Sequence, residues 1–270
     1  MTFSIVARDP VTGDFGIAIA SKALAVGAVA PFARANVGAI STQAMPNVSY
    51  GPDALERLAA GEDPESILAA LTAADQLGAH RQAGIVDALG RSATWTGFSC
   101  MSWAGGRVAP GVAAQGNILV GPQVVDAMME AYASATGSFP RRLVAALRAG
   151  DQAGGDSRGR QSAALLVRRE KGGQGGLDDR WIDLRIDDHT DPVTELGRLL
   201  GLHEGMTNLA DPAVLAQVGS VVVKQLSGAL KHAFAHKEPG AEDAKGTLTA
   251  SPGPVVADEG VPERLRNLPG

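Results

Sequence analysis

The order of apolar segments predicts an α+β fold in which antiparallel sheets are covered by helices. Strands come in groups joined by short turns, and pairs of helices separate these groups. Short hairpin connections build antiparallel sheets, whereas parallel strands need a long crossover between them. Of the 270 residues, 45% are hydrophobic but only 4% are aromatic. We therefore expect a core of small and branched aliphatic side chains.

Strands and two helices make up the first half of the chain. The strands are short apolar runs bounded by Gly, Pro or Asp, and they are expected over residues 3–9, 15–22, 36–43, 81–87 and 92–96. One helix is capped by Tyr50-Gly51-Pro52-Asp53, where Pro52 suits a first helical position, and runs to about Ala60. The second covers residues 64–74, with Asp63 as its N-cap.

The second half repeats this alternation. Further strands are expected over residues 112–117, 161–168 and 181–186, and further helices over 122–134, over 139–149 and from Asp191-Pro192 to about Leu202. The folded body is predicted over 1–204. Apolar residues at helical spacing predict an amphipathic helix from Asp211 to about His236, within a segment 205–237. The tail 238–270 is rich in Pro, Gly and charge and is predicted to be disordered.

Composition excludes several classes of function. A net charge of −5 argues against nucleic acid as a partner. The absence of an apolar run of about 18 residues argues against a membrane span. The single cysteine, Cys100, excludes an internal disulfide and, in its apolar surroundings, is expected to be packed rather than reactive. We expect a cytoplasmic protein that acts on a small molecule without a cofactor.

Thr2, at the start of the first strand, is the first candidate for chemistry. If Met1 is removed, the Thr2 hydroxyl is a nucleophile and its own α-amine, with a reference pKa of about 8, is the base beside it. No histidine is then required. The alternative is that the chain simply opens with Met-Thr and a strand, as many cytosolic chains do.

Polar residues at other strand ends could complete such a site. Ser21 and Lys22 end the second strand, and the hairpin returns them to Thr2, where Ser21 could relay a proton and the charge of Lys22 could lower the pKa of the nucleophile. Gln43, which follows Ser41 and Thr42, and Asn117 are candidate donors to an oxyanion. The alternatives are an exposed lysine, polar strand ends and a turn asparagine.

A second group of polar residues is interpreted as substrate-binding. It comprises His80, Arg81, Gln82, Asp156, Arg160 and Gln161. The arginines could clamp a carboxylate. The Gly-rich loop 154–160 lacks the spacing of a phosphate cradle and could instead be pinned by its own Asp–Arg pairs. Asp187-Asp188-His189 has hard metal ligands, but Asp191-Pro192 is an ordinary helix start, so no metal is expected.

Seven motifs in order resemble the DUF1028 family, a domain of unknown function grouped with the N-terminal nucleophile (Ntn) hydrolases. They lie at residues 2–9, 20–22, 41–44, 80–82, 115–117, 154–162 and 187–189. The resemblance covers about 1–204. It implies a four-layer αββα sandwich and, through the superfamily, attack by Thr2 on an amide carbonyl.

Three hypotheses follow for the function of the chain. The first is an amidohydrolase for a small linear amide or related C–N bond. The second is a catalytically silent module that binds a small metabolite with Met1 retained. The third is assembly into a homo-oligomer through the helix after Asp211.

Overall fold

Ten strands form two antiparallel sheets in the structure, a computed structural model that describes residues 2–209. The larger sheet has the order β10-β9-β2-β1-β8-β7 and the smaller one β3-β4-β5-β6. The strands are β1 (Thr2–Arg8), β2 (Phe15–Ser21), β3 (Pro31–Arg34), β4 (Gly38–Ala44), β5 (Arg81–Asp87), β6 (Ser92–Thr96), β7 (Gly105–Ala109), β8 (Val112–Asn117), β9 (Ser162–Arg168) and β10 (Arg180–Ile186).

Helices cover the outer face of each sheet. Helices α1 (Tyr50–Ala59) and α2 (Pro64–Ala74) pack on the smaller sheet, and α3 (Gln123–Ser134), α4 (Phe139–Gln152) and α5 (Pro192–Leu209) pack on the larger one. The layers therefore follow the order αββα, which confirms the predicted sandwich. Within residues 2–209, no helix is both long and apolar enough to cross a membrane.

Two strands were not expected from the sequence. Both β3 and β7 lie at sheet edges and are only partly buried, so neither has the apolar alternation of a core strand. Pro31 opens β3, and a proline is tolerated at such an edge. Helix α5 also continues to Leu209, beyond its predicted end near Leu202. Met1, the predicted helix from Asp211 and the tail 238–270 lie outside the described residues.

The space between the two sheets changes from apolar to polar along the strands. At one end, Val6 and Ile17 of the larger sheet pack with Ala39 and Val86 of the smaller one. Alternate residues of a strand share a face, and the side chains four residues further along the same face are all polar: Thr2, Ser21, Gln43 and Gln82. We call the polar end, where β1 begins and β2, β4 and β8 end, the Thr2 end.

Candidate functional site

Strand register brings four polar residues into one row across the larger sheet. Thr2 pairs with Ser21 on one side and with Asn117 on the other, and Ser21 pairs with Ser162. Residues directly opposite each other in an antiparallel pair share a face. The row therefore faces the smaller sheet, where Gln43 and Gln82 lie opposite each other.

Thr2 is almost fully enclosed, with 7% of its surface exposed. Its hydroxyl shares a hydrogen bond with the Ser21 hydroxyl, and the two oxygens are 3.1 Å apart. The Thr2 carbonyl oxygen accepts from Gln43 Nε2 at 3.3 Å and from Asn117 Nδ2 at 3.5 Å. The structure thus brings Thr2, Ser21, Gln43 and Asn117 together, although the amides contact the Thr2 backbone rather than its hydroxyl. The catalytic roles of these residues stay a prediction.

Gln82 accepts hydrogen bonds from the side-chain amides of both Gln43 and Asn117. Its Oε1 accepts from Gln43 Nε2 at 2.8 Å and from Asn117 Nδ2 at 2.9 Å. Its own Nε2 donates to the Gly116 carbonyl at 2.7 Å and to Thr96 Oγ1 at 2.9 Å. Gln82 is fully buried, so any part it plays in substrate binding acts through Gln43 and Asn117.

A second chain of hydrogen bonds extends deeper between the sheets. Gln115 Nε2 donates to Ser4 Oγ, and Ser4 Oγ donates to Gln43 Oε1, both at 2.7 Å. Both Ser4 and Gln115 are fully buried. Because buried polar groups cost free energy unless they are paired, such a network fixes one arrangement of side chains. Gln43 is thereby oriented at both ends of its amide.

Two residues directly after site residues have left-handed backbones. Ala44, directly after Gln43, has φ 71°, and Ile118, directly after Asn117, has φ 52°. The left-handed region costs a residue with a Cβ about 1–2 kcal/mol and is unusual for a β-branched one. Strain of this kind is found preferentially at functional sites, where the surrounding structure maintains it. It marks the ends of the two strands that carry the candidate oxyanion donors.

The loop 154–160 contains one Asp–Arg pair of its own, as one of the sequence alternatives predicted, and a second pair joins it to α4. Asp156 Oδ2 accepts from the Lys22 backbone N–H at 2.7 Å and pairs with Arg158 at 3.3 Å, so its contact with Lys22 is to the backbone and not to the ammonium. Arg160 pairs with Asp151 at 2.7 Å, not with Asp156. The exposed Lys22 ammonium donates to the Arg160 carbonyl at 3.2 Å. That ammonium therefore holds the loop, and its tuning of Thr2 stays a prediction.

Arg81 is also held by a carboxylate of the protein. Its Nε donates to Asp75 Oδ2 at 2.8 Å, and its guanidinium donates to the Met45 carbonyl. The hydrogen bond from Arg81 holds the pKa of Asp75 well below its usual range. The Tyr50 hydroxyl also donates to Asp75, at 3.0 Å, and burial raises the Tyr50 pKa. These groups therefore form a hydrogen-bonded, ion-paired cluster at the start of α1 and the end of α2.

The remaining candidates, His80 and Gln161, contact their neighbours through backbone hydrogen bonds. His80 ends a 3-10 turn directly before β5, and its carbonyl accepts from Met45 N at 3.4 Å. Gln161 N donates to the Ser21 carbonyl at 3.1 Å, and its carbonyl accepts from His189 N at 2.7 Å. Both residues thus help to hold the strand ends at the Thr2 end.

Comparison with known proteins agrees with this architecture. A family model described as a family of unknown function, DUF1028, matches residues 2–196. The chain belongs to this family. A crystal structure of a DUF1028 protein from Silicibacter pomeroyi is 35% identical, with a TM-score of 0.68, and the match covers 74% of this chain and 84% of that one. Among curated proteins, none matches the chain.

Cys100 of this DUF1028 protein is half-buried. Burial raises the pKa of its thiol, and its Sγ donates to the Arg81 carbonyl at 3.5 Å. A raised pKa disfavours the thiolate, which is the reactive form. This agrees with the packed role expected from the sequence.

The acidic segment before α5 has an ordinary local structure. His189 Nδ1 accepts from the Asp191 backbone N–H at 2.9 Å. Within residues 2–209, no group of three or more His, Cys, Asp or Glu side chains is placed to bind a metal ion.

Three buried polar residues of the site were not singled out from the sequence: Ser4, Gln115 and Ser162. Ser162 Oγ donates to the Ala23 carbonyl at 2.6 Å and accepts from Val26 N at 3.1 Å, which fixes the loop after β2. A signal was present for the first two. Ser4 lies two residues after Thr2 and Gln115 two residues before Asn117, so each shares a strand face with a candidate that had been identified.

Proposed function

We propose that this DUF1028 protein is an Ntn-type hydrolase that cleaves a small linear amide, with the Thr2 hydroxyl as nucleophile after removal of Met1. The observation that carries the proposal is the hydrogen bond between the Thr2 and Ser21 hydroxyls at 3.1 Å, inside a row of buried polar side chains.

The first half of the proposed reaction transfers an acyl group to Thr2. The neutral α-amine takes the proton of Thr2 Oγ1, directly or through Ser21, while the oxygen attacks the amide carbonyl carbon. The resulting tetrahedral intermediate collapses as the C–N bond breaks, and the protonated α-amine gives its proton to the departing nitrogen. The products are a free amine and an ester on Thr2.

The second half of the reaction uses the same groups with water. The α-amine takes a proton from a water molecule, which attacks the ester carbonyl, and returns that proton to Thr2 Oγ1 as the acid is released. Met1 must be absent, because a peptide nitrogen has no basicity and cannot fill this role.

Charge on the tetrahedral oxygen requires nearby N–H donors. Asn117 and Gln43 are suitable, because neutral amides stabilise a developing charge without titrating. In the structure both amides donate to the Thr2 carbonyl and to Gln82. The Asn117 contact with the carbonyl, at 3.5 Å, is the longest of these and the easiest to exchange for a substrate oxygen.

A silent binding module is the second candidate, and cavity size favours it. The cavity beside Ser21 and Asp156 is about 10 Å³, which is room for about one water molecule. Larger cavities lie elsewhere, among them one of about 420 Å³ over Tyr50 and Asp75 and one of about 610 Å³ between Ser138 and Glu204. If one of these larger cavities is the ligand site and Thr2 is inert, substitutions at Thr2 leave ligand binding unchanged and hydrolysis is absent.

Substitution of Thr2 separates the two candidates. Release of amine from a panel of small linear amides is measured for wild type, Thr2→Ala and Thr2→Ser. Alanine and serine are both small enough to allow removal of Met1, so the variants differ only at the nucleophile. We expect Thr2→Ala to abolish turnover and Thr2→Ser to retain part of it.

Thr12→Ala is the matched control, because Thr12 is an exposed threonine in the turn after β1, at the other end of the sandwich. It should match wild type. Turnover by Thr2→Ala equal to that of wild type contradicts the proposal.

A further inference from the structure

Exposed apolar side chains surround the Thr2 end. Phe98 is 92% exposed and Met101 67%, both in the loop between β6 and β7. Leu24 follows the end of β2, Met45 that of β4 and Val120 that of β8, with 67%, 50% and 48% exposure. We call these five residues the apolar rim. A set of exposed apolar residues grouped around a polar centre is typical of a binding surface.

The apolar rim is fixed to the strands that carry the site. The Met101 carbonyl accepts from the Ile118 N–H at 2.9 Å, one residue beyond Asn117. Gly97, next to Phe98, donates to the Arg81 carbonyl at 2.9 Å, one residue before Gln82. The loop with Phe98 and Met101 therefore has its backbone bonded to the neighbours of two site residues.

Two of the arginines near the Thr2 end are paired with carboxylates of the protein. Arg81 pairs with Asp75 at 2.8 Å and Arg160 with Asp151 at 2.7 Å. The two arginines that the sequence offered as carboxylate clamps are thus held by the protein's own carboxylates.

We propose that the amide cleaved at Thr2 carries an apolar substituent of several carbons, an alkyl chain or an aryl ring, which lies against Phe98 and Met101. This inference rests on the proposed function. The polar row handles the amide group, and the apolar rim removes the substituent from water. Ligand sites commonly combine a few polar groups for orientation with apolar walls for affinity.

Binding to the Thr2→Ala variant tests the inference without turnover. Dissociation constants are measured by NMR titration for N-methylbutanamide, N-methylhexanamide and N-methyloctanamide, and for acetamides with N-butyl, N-hexyl and N-octyl groups. In at least one series, affinity should rise about twofold for each added methylene. That is about half the effect of complete burial on a free-energy scale, because one side of a chain on the apolar rim stays in water.

Two double variants locate the effect. Phe98→Ser with Met101→Ser, made in the Thr2→Ala background, should flatten the dependence on chain length. Val11→Ser with Leu177→Ser is the control, because these residues are 89% and 91% exposed in turns at the opposite end. The control should keep the full dependence.

Three results overturn the inference: affinity that ignores chain length in both series, a dependence that survives the Phe98 and Met101 changes, or one that the control loses equally. If the apolar rim instead contacts a second copy of the chain, the first result is accompanied by a dimer that the double variant dissociates. Failure of the proposed function has a different signature, hydrolysis that persists in Thr2→Ala.

Discussion

Gly84→Ala is the sharpest test of the buried network, because it disturbs the network without altering a polar group. A Cβ at position 84 would lie 1.9 Å from Gln115 Oε1 and 2.4 Å from Gln115 Cδ. Gln115 must then move, and its Nε2 loses the 2.7 Å hydrogen bond to Ser4. Overpacking costs about 1–3 kcal/mol and an unpaired buried polar group another 1–3 kcal/mol. We expect a loss of about 2–6 kcal/mol in the free energy of unfolding.

Urea unfolding of Gly84→Ala is compared with a control variant and with a variant that lacks the colliding side chain. Gly201→Ala adds a methyl group in α5 where nothing lies within 4 Å, and it should stabilise the protein by up to about 1 kcal/mol through helix propensity. Gln115→Ala removes the colliding side chain, so Gly84→Ala should cost little in that background. The coupling between the two substitutions measures the collision. Equal stability of Gly84→Ala and wild type would refute the packing of the two sheets described above.

The remaining predictions concern strain and pH. Ala44→Gly should raise the free energy of unfolding by about 0.5–1 kcal/mol, because relief of the left-handed strain exceeds the extra entropy of glycine in the unfolded chain. Ala60→Gly is the control: Ala60 has φ −79°, so this change should lower the free energy of unfolding. Denaturant titration measures both. The pKa of Asp75 is depressed on folding, so its stabilising contribution is complete above the unfolded pKa of about 3.9 and is lost progressively as pH falls from there towards the lower folded pKa. The difference in stability between wild type and Asp75→Asn should therefore shrink from pH 6 to pH 3, and a difference that grows towards low pH contradicts the assigned ion pair.

The hairpin at the start of the chain shows what the sequence could predict. Apolar residues on either side of a turn that contains Pro10 and Gly13 predicted β1 and β2. In the structure, the register of this hairpin places Ser21 opposite Thr2. The helix starts at Asp63 and Asp191 were also readable. Asp63 Oδ1 accepts from Glu65 N at 3.2 Å and from Ser66 N at 3.1 Å. These features depend on residues close together in the sequence, so they can be predicted without knowing the tertiary structure.

Contacts between the sheets could not be predicted in the same way. Gln82 was interpreted as a substrate contact, since nothing local shows that β5 lies across from β8. The pairing of Arg160 with Asp151 depends on how a Gly-rich loop folds back on α4. The edge strands β3 and β7 were missed because half-exposed edges lack the apolar alternation on which strand prediction depends.

The mass of the intact protein, made with no tag at its N-terminus, tests the central claim most directly. The account predicts a mass lower than that of the full sequence by one methionine residue, because only a free Thr2 amine can serve as the base. A full-length mass with Met1 retained would contradict the terminal-threonine mechanism and leave the binding module as the better description.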